Sequence, residues 1–106
     1  MVVHLSRGRF DPARYDTLRA LLSAAETDLI PAIRRLPGLV SCDAALDAAS
    51  GSVITVSVWE SVEAAAGMGA LPEMLALRNT FVTQGVNFEP TINHEGIWRI
   101  AEGWLA

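Results

Sequence analysis

The stretch VITVSVW at residues 53–59 decides the fold. Five of its seven residues are Val, Ile or Thr, the β-branched types that favour extended strands. Its alternating residues form two uncharged faces, one of Ile54, Val56 and Val58 and the other of Val53, Thr55, Ser57 and Trp59. An antiparallel strand with one face in water normally alternates apolar and polar residues. We therefore predict a central strand that is covered on both sides.

Further strands are predicted on either side of this stretch. Residues 2–10, 39–46 and 92–100 have the apolar content and alternation of strands. Turn-forming residues at 47–52 predict a hairpin between the second and third strands, and 87–90 is predicted as a loop.

Two helical regions separate these strands. Apolar residues spaced three or four apart predict the first helix, which Asp11 and Pro12 start and Pro37-Gly38 ends. Pro31 removes an amide donor and clashes with the preceding turn, so we expect a kink or break near 27–30. The second region begins at the N-cap Ser61 and ends at Gly85, and a further break is expected in the run AAAGMGALP at residues 64–72.

The resulting order, β-α-β-β-α-β, predicts an α+β, ferredoxin-like fold with a four-stranded antiparallel sheet and one domain over residues 1–106. Two helices can cover only one face of such a sheet. Because the other face is also apolar, it needs a partner, and the simplest partner is the same face of a second copy. We therefore expect a homodimer that associates through the open sheet face.

The amino-acid composition excludes several classes of function. The chain has 106 residues and a formal charge of −4, and all eight basic residues are Arg. Without Lys, neither a Schiff base nor a P-loop can form, and an acidic chain with scattered Arg does not suit nucleic acid. Its one Cys, Cys42, allows no internal disulfide and no zinc motif. With neither a signal-peptide pattern nor a long apolar run, the expected location is the cytoplasm, away from membranes.

Short motifs at the junctions between elements resemble those of a known family. Residues 37–39 read PGL, 58–61 read VWES and 62–65 read VEAA. Together with the element order, over about residues 2–100, the chain resembles the antibiotic biosynthesis monooxygenase-like family of dimeric α/β barrels. The resemblance implies a homodimer whose sheets close into a barrel. Members of the family oxidise phenols or quinols with molecular oxygen and no metal or flavin, degrade haem, act as isomerases, or have no known activity.

Haem degradation is disfavoured by the residues present. The haem-degrading members place an Asn on the first strand and a ligating His on the second helix. The corresponding positions fall near His4 and Arg78, and an Arg cannot serve as that axial ligand. We expect no cofactor and no metal.

Cofactor-free oxygenation needs an apolar pocket, a base near the substrate hydroxyl and stabilisation of the resulting anion. Histidine is the base that titrates near neutrality, which selects His4 and His94 as catalytic candidates. The substrate-binding candidates are Trp59, Thr55, Arg78 and Trp98. For His4 the structural alternative is a packed core or interface histidine, and for His94 it is a solvent-exposed position at the start of a strand. For Trp59 and Trp98 it is an aromatic packing anchor. For Thr55 it is a hydroxyl bonded to the backbone, and for Arg78 an ion pair with Glu73 or Glu60.

Two functions follow as expectations. The first is a homodimeric, cofactor-independent monooxygenase that acts on a small aromatic or quinol-type compound. The alternative is a non-catalytic dimeric module of the same fold that binds a small ligand or assembles. A pocket of several hundred Å³ lined by His4 or Trp59 favours the enzyme, whereas a fully packed interior favours the module.

Overall fold

The computed structural model describes residues 1–97. Strand β1 (Val2–Arg9) leads through a short 3-10 helix (Pro12–Arg14) into helix α1 (Tyr15–Arg34). The hairpin of β2 (Leu39–Asp47) and β3 (Ser52–Trp59) follows, and then the helices α2 (Val62–Ala70) and α3 (Pro72–Thr83). The described part of the chain ends with two short strands, β4 (Asn87–Phe88) and β5 (Ile92–Glu95).

The sheet is antiparallel and has the order β2-β3-β1-β4, with β5 also paired to β1. This arrangement confirms the predicted α+β, ferredoxin-like fold. The expectation of four strands needs one correction, because two short strands share the edge beside β1. The additional strand β4 lies within residues 87–90, which the sequence pattern predicted as a loop. Turn-type residues around Pro90 interrupt this edge, and the pattern does not show that Asn87 and Phe88 pair with β1.

The pairing register assigns each side chain to one face of the sheet. His4 lies opposite Ser57, and Ser6 lies opposite Thr55, so these four residues share the face that the helices cover. The intervening residues of β1 and β3 lie on the open face, where the apolar members are Val3, Leu5, Ile54, Val56 and Val58. The predicted alternation of β3 is therefore confirmed.

Of the kink or break expected near residues 27–30, the break is not formed, because helix α1 runs continuously through Pro31. Proline leaves the carbonyl of Thr27 without its helical donor, but Thr27 is exposed and water can replace that hydrogen bond. On the opposite side of the last turns, Leu29, Ala32 and Ile33 are buried. Packing of these apolar residues therefore keeps the end of the helix in place.

The predicted break in the second helical region is confirmed at Leu71, which has extended backbone and precedes Pro72. The amide of Ala64 donates to the hydroxyl of Ser61 over 3.1 Å, as expected for an N-cap. Within residues 1–97, no helix is sufficiently long and apolar to cross a membrane.

The core between sheet and helices consists of two clusters. One contains Val2, Leu29, Ile33, Trp59, Ala65 and Met68. The other contains Phe10, Leu18, Val53, Phe81 and Val86. The middle of β1 and β3, where polar residues replace apolar ones, lies between the two clusters.

Candidate functional site

A cavity of about 380 Å³ lies between the helix-covered face of the sheet and the helices. This volume is within the range of small-molecule sites. Residues of both core clusters contribute to its wall, which includes Leu22, Leu29, Ile33, Met68, Met74, Leu77 and Phe81. The interior is therefore not fully packed, and the space is bounded mainly by aliphatic and aromatic side chains.

The sheet contributes a polar floor to this apolar cavity, formed by His4, Ser6, Thr55 and Ser57. These residues are two paired positions on each of the neighbouring strands β1 and β3. Cβ atoms of paired residues are about 5 Å apart in an antiparallel sheet. The floor therefore places one imidazole and the hydroxyls of Ser6 and Thr55 within reach of one small molecule, whereas the Ser57 side chain is fully buried.

His4 is half-buried and lines the cavity. Its Nδ1 is 2.7 Å from Oδ1 of Asn93 on the neighbouring strand β5. With the amide oxygen toward the ring, Nδ1 is the protonated nitrogen and donates a hydrogen bond to Asn93, because a carbonyl oxygen can only accept. In the neutral ring this leaves Nε2 with its lone pair, which is the state that a general base requires.

Ser57 connects the floor of the cavity to the core. Its hydroxyl accepts a hydrogen bond from the indole Nε1 of Trp59 at 2.7 Å and lies 3.4 Å from the carbonyl oxygen of His4. Trp59 is fully buried in the core and is not among the residues that line the cavity. The expectation that Trp59 forms a pocket wall is corrected accordingly: its ring lies in the core beside the floor and supports it through Ser57.

Arg78 is exposed and lines the cavity, which places it at the mouth. Its guanidinium carbon lies 4.6 Å from the centre of the Phe88 ring, a cation–π contact. The expected ion pair with Glu73 or Glu60 is not formed; the salt bridge within residues 1–97 joins Arg9 to Glu89. Among residues 1–97 the donor fork of Arg78 has no acidic partner, so it can bind an anionic group of a ligand.

The two histidines are not brought together. His94 pairs with Val3, so it belongs to the open face of the sheet, and its side chain is exposed. The alternative of an exposed histidine near the start of its strand fits this position, and its selection beside His4 as a base is corrected. Trp98, the remaining substrate-binding candidate, lies outside the described residues.

Several lining residues were missed by sequence reasoning. Ser6 could have been found, since it is two positions from His4 on the same strand face. Cys42, Phe88 and Thr91 carried no such signal, because only the pairing of distant strands brings them to the cavity. Burial, and secondarily the neighbouring Asp43 carboxylate, raises the pKa of the Cys42 thiol. Cys42 is therefore a neutral lining group at neutral pH.

In the described part of the chain, no three His, Cys, Asp or Glu side chains lie close enough together to bind a metal ion. The polar groups of the cavity are an imidazole, hydroxyls, a thiol and the guanidinium at its mouth. Such a set can accept a proton and stabilise an anion.

The chain is similar to known proteins in its three-dimensional structure rather than in its sequence. No family model matches the sequence, and no curated protein matches it. Among solved structures, a candidate antibiotic biosynthesis monooxygenase from Deinococcus radiodurans is 18% identical, with a TM-score of 0.70 over 92% of this chain and 93% of that one. Rv0793 from Mycobacterium tuberculosis is 24% identical, with a TM-score of 0.63 over 91% of this chain and 94% of that one.

A third structure is SnoaB, a cofactor-independent oxygenase from Streptomyces nogalater. It is 18% identical, with a TM-score of 0.59 over 91% of this chain and 92% of that one. At these identities the likeness establishes the fold. The chain has the fold of the antibiotic biosynthesis monooxygenase structures, which confirms the family resemblance at that level.

Proposed function

We propose that this protein is a cofactor-independent monooxygenase that acts on a small aromatic or quinol-type compound. The observation that carries the proposal is His4, which lines an apolar cavity while its Nδ1 is bonded to Asn93. Its free ring nitrogen is then available to a phenolic hydroxyl. The likeness to SnoaB adds support from the fold, and fold by itself does not determine function.

The reaction needs little from the protein. Nε2 of His4 takes the phenolic proton, and the electron-rich anion reduces molecular oxygen as a carbon–oxygen bond forms. The peroxide anion takes the proton back from Nε2 of His4, and the resulting hydroperoxide loses water by breaking its O–O bond and a C–H bond, which leaves a carbonyl on the ring. One oxygen atom enters the product and the other leaves as water, so the substrate supplies all the electrons.

The remaining polar groups of the cavity stabilise the anion and orient the ring. The Thr55 hydroxyl lies beside His4 on the floor, and Arg78 holds a second oxygen of the substrate at the mouth. The aliphatic wall excludes water, which strengthens these interactions. A planar substrate with a hydroxyl at one end and a carbonyl or carboxylate at the other suits this distribution.

The test is oxygen uptake by the purified protein with anthrone- and quinol-type phenols, followed together with quinone absorbance. We expect turnover that His4→Gln lowers by about 10²- to 10⁴-fold, the usual contribution of a general base. His94→Gln is the matched control, because it removes the histidine on the other face of the sheet, and turnover should persist. Binding of the phenols without oxygen uptake would instead establish the ligand-binding module.

We also propose that the protein is a homodimer that associates through the open sheet face. This face carries Val3, Leu5, Ile54, Val56 and Val58 on its two central strands. On the flanking strand β5, Ile92 pairs with Leu5 on the same face and is 47% exposed. A contiguous apolar surface of this kind marks an association site.

The charges at the borders of this face suit a second copy. Arg7 lies on β1 and pairs with Ile54, whereas Asp43 lies on β2 and pairs with Val56. When two open faces meet about a two-fold axis along β3, each β1 lies against the partner's β2. Arg7 and Asp43 are then offset by two residues, about 7 Å along the strands, which an Arg side chain can span. Sedimentation velocity over a range of concentrations should show a dimer.

A further inference from the structure

We infer that Asn93 is a positioning residue that holds His4 in the tautomer and orientation a general base requires. The inference rests on the proposed function for its catalytic meaning, but the state of the ring can be measured without substrate. Asn93 lies on β5, directly opposite His4 on β1. No motif around Asn93 distinguishes it from a surface residue, and only the pairing of the first and last described strands brings the two together.

The contact is short and specific. Oδ1 of Asn93 is 2.7 Å from Nδ1 of His4, at the short end of the range for N–H···O hydrogen bonds. Among residues 1–97, this is the one hydrogen bond that the His4 ring makes. The carbonyl end of the amide therefore determines which ring nitrogen carries the proton.

The orientation of the amide decides the chemistry of the ring. With Oδ1 toward His4, Nδ1 is protonated and Nε2 can accept the phenolic proton. If the amide were reversed, its NH₂ group would donate to Nδ1 and the proton would move to Nε2. The ring could then only donate to a phenol, and it could not deprotonate it. These two arrangements differ in an observable property, the protonation of each ring nitrogen.

An Asp at this position keeps an acceptor for Nδ1, whereas a Leu of similar size removes it. Asn93→Asp should therefore preserve the Nδ1-protonated ring, and Asn93→Leu should release it to both tautomers. Since Asn93 is exposed on an edge strand, neither substitution disturbs the core. Asn79→Leu, at an exposed position of α3, is the matched control for an Asn-to-Leu change elsewhere on the surface.

The experiment is ¹⁵N–¹H correlation of the histidine rings in the uniformly labelled protein, at a pH where the rings are neutral. His4→Gln assigns the His4 signals, and His94 serves as an internal reference. We expect a protonated Nδ1 and an unprotonated Nε2 for His4 in the native protein, in Asn93→Asp and in Asn79→Leu. In Asn93→Leu the two nitrogen shifts should move toward each other as the tautomers mix.

A native ring protonated at Nε2, or an unchanged ring in Asn93→Leu, would overturn the inference. Kinetics then separates it from the proposed function. If the protein oxidises phenols, Asn93→Leu should lower kcat about 10-fold with little change in KM, and Asn93→Asp should restore most of the rate. If no phenol is oxidised while the ring behaves as expected, the monooxygenase proposal fails and the positioning of His4 by Asn93 stands.

Discussion

The indole Nε1 of Trp59 donates a 2.7 Å hydrogen bond to the hydroxyl of Ser57, and both side chains are fully buried. The two residues are on the same face of β3, one facing the core and the other the cavity floor. A tryptophan in the core thus holds a serine hydroxyl in place beside His4. This bond therefore couples the position of a core side chain to the position of a polar group in the cavity floor.

Replacing Ser57 tests this bond. Ser57→Ala leaves the buried indole donor without a partner, so we expect a loss of about 1–3 kcal/mol in the free energy of unfolding. In Ser57→Ala/Trp59→Phe both polar partners are absent. The loss in the free energy of unfolding of this double variant should therefore be smaller than the sum of the losses in the two single variants. Urea unfolding of the four proteins completes the cycle. Strict additivity would contradict an energetic role for the bond.

Arg78 should select ligands that carry an acidic group. Arg78→Leu removes a charged hydrogen bond worth about 1.5–3 kcal/mol, so affinity for a carboxylated phenol should fall about 10- to 100-fold. Affinity for the neutral parent phenol should change much less. Arg78→Lys keeps the charge but loses the donor fork, and it should recover only part of the affinity. Calorimetric titration with the matched pair of ligands measures this, and equal losses for both would contradict the assignment.

Two glycines should respond oppositely to alanine. Gly38 has φ +81°, and a Cβ there would lie 2.6 Å from Cβ of Ala64, so Gly38→Ala should destabilise the protein by more than about 1 kcal/mol. Gly69 is helical, and a Cβ there would meet nothing within 4 Å. Gly69→Ala should therefore stabilise by about 0.4–1 kcal/mol through the unfolded state. Chemical denaturation compares both, and the same sign for the two changes would refute the distinction.

Charge reversal tests the proposed dimer. Arg7→Glu places two acidic residues against each other across the two-fold axis, so the dimer should dissociate at higher protein concentration than the native one. Asp43→Arg combined with Arg7→Glu restores opposite charges and should restore association. Sedimentation velocity at low salt, where screening is weakest, gives the clearest difference. Failure of the double variant to associate would argue against this pairing of β1 and β2, even if the native protein is dimeric.

Cys42 provides a probe of cavity occupancy. Because burial, and secondarily the Asp43 carboxylate, raise the pKa of the Cys42 thiol, iodoacetamide should react slowly at neutral pH and faster as the pH rises. Asp43→Asn removes the smaller of the two causes and should shift the rate profile modestly to lower pH. A phenol that fills the cavity should slow alkylation at every pH. Unaltered labelling at saturating phenol would show that it binds elsewhere.

Local sequence patterns predicted most of the fold. The alternation of residues 53–59 predicted a strand with two uncharged faces, and the Ser61 cap and Pro72 marked the start and interruption of the second helical region. These patterns each lie within a short stretch of sequence, where residue propensity and hydrophobic periodicity determine the secondary structure. At Pro31 the helix does not break, because buried neighbours in the last turns of α1 compensate for the missing hydrogen bond.

By itself, the sequence determined the order of the elements apart from β4, the apolar character of the open face and the inventory of chemical groups, with histidine as the available base and no lysine. Only the tertiary structure decided that His4 faces the cavity, that His94 lies on the opposite face and that Asn93 contacts His4. The reason is physical: periodicity assigns a residue to a face within one strand. Which strands become neighbours, and in what register, depends on the packing of the whole chain.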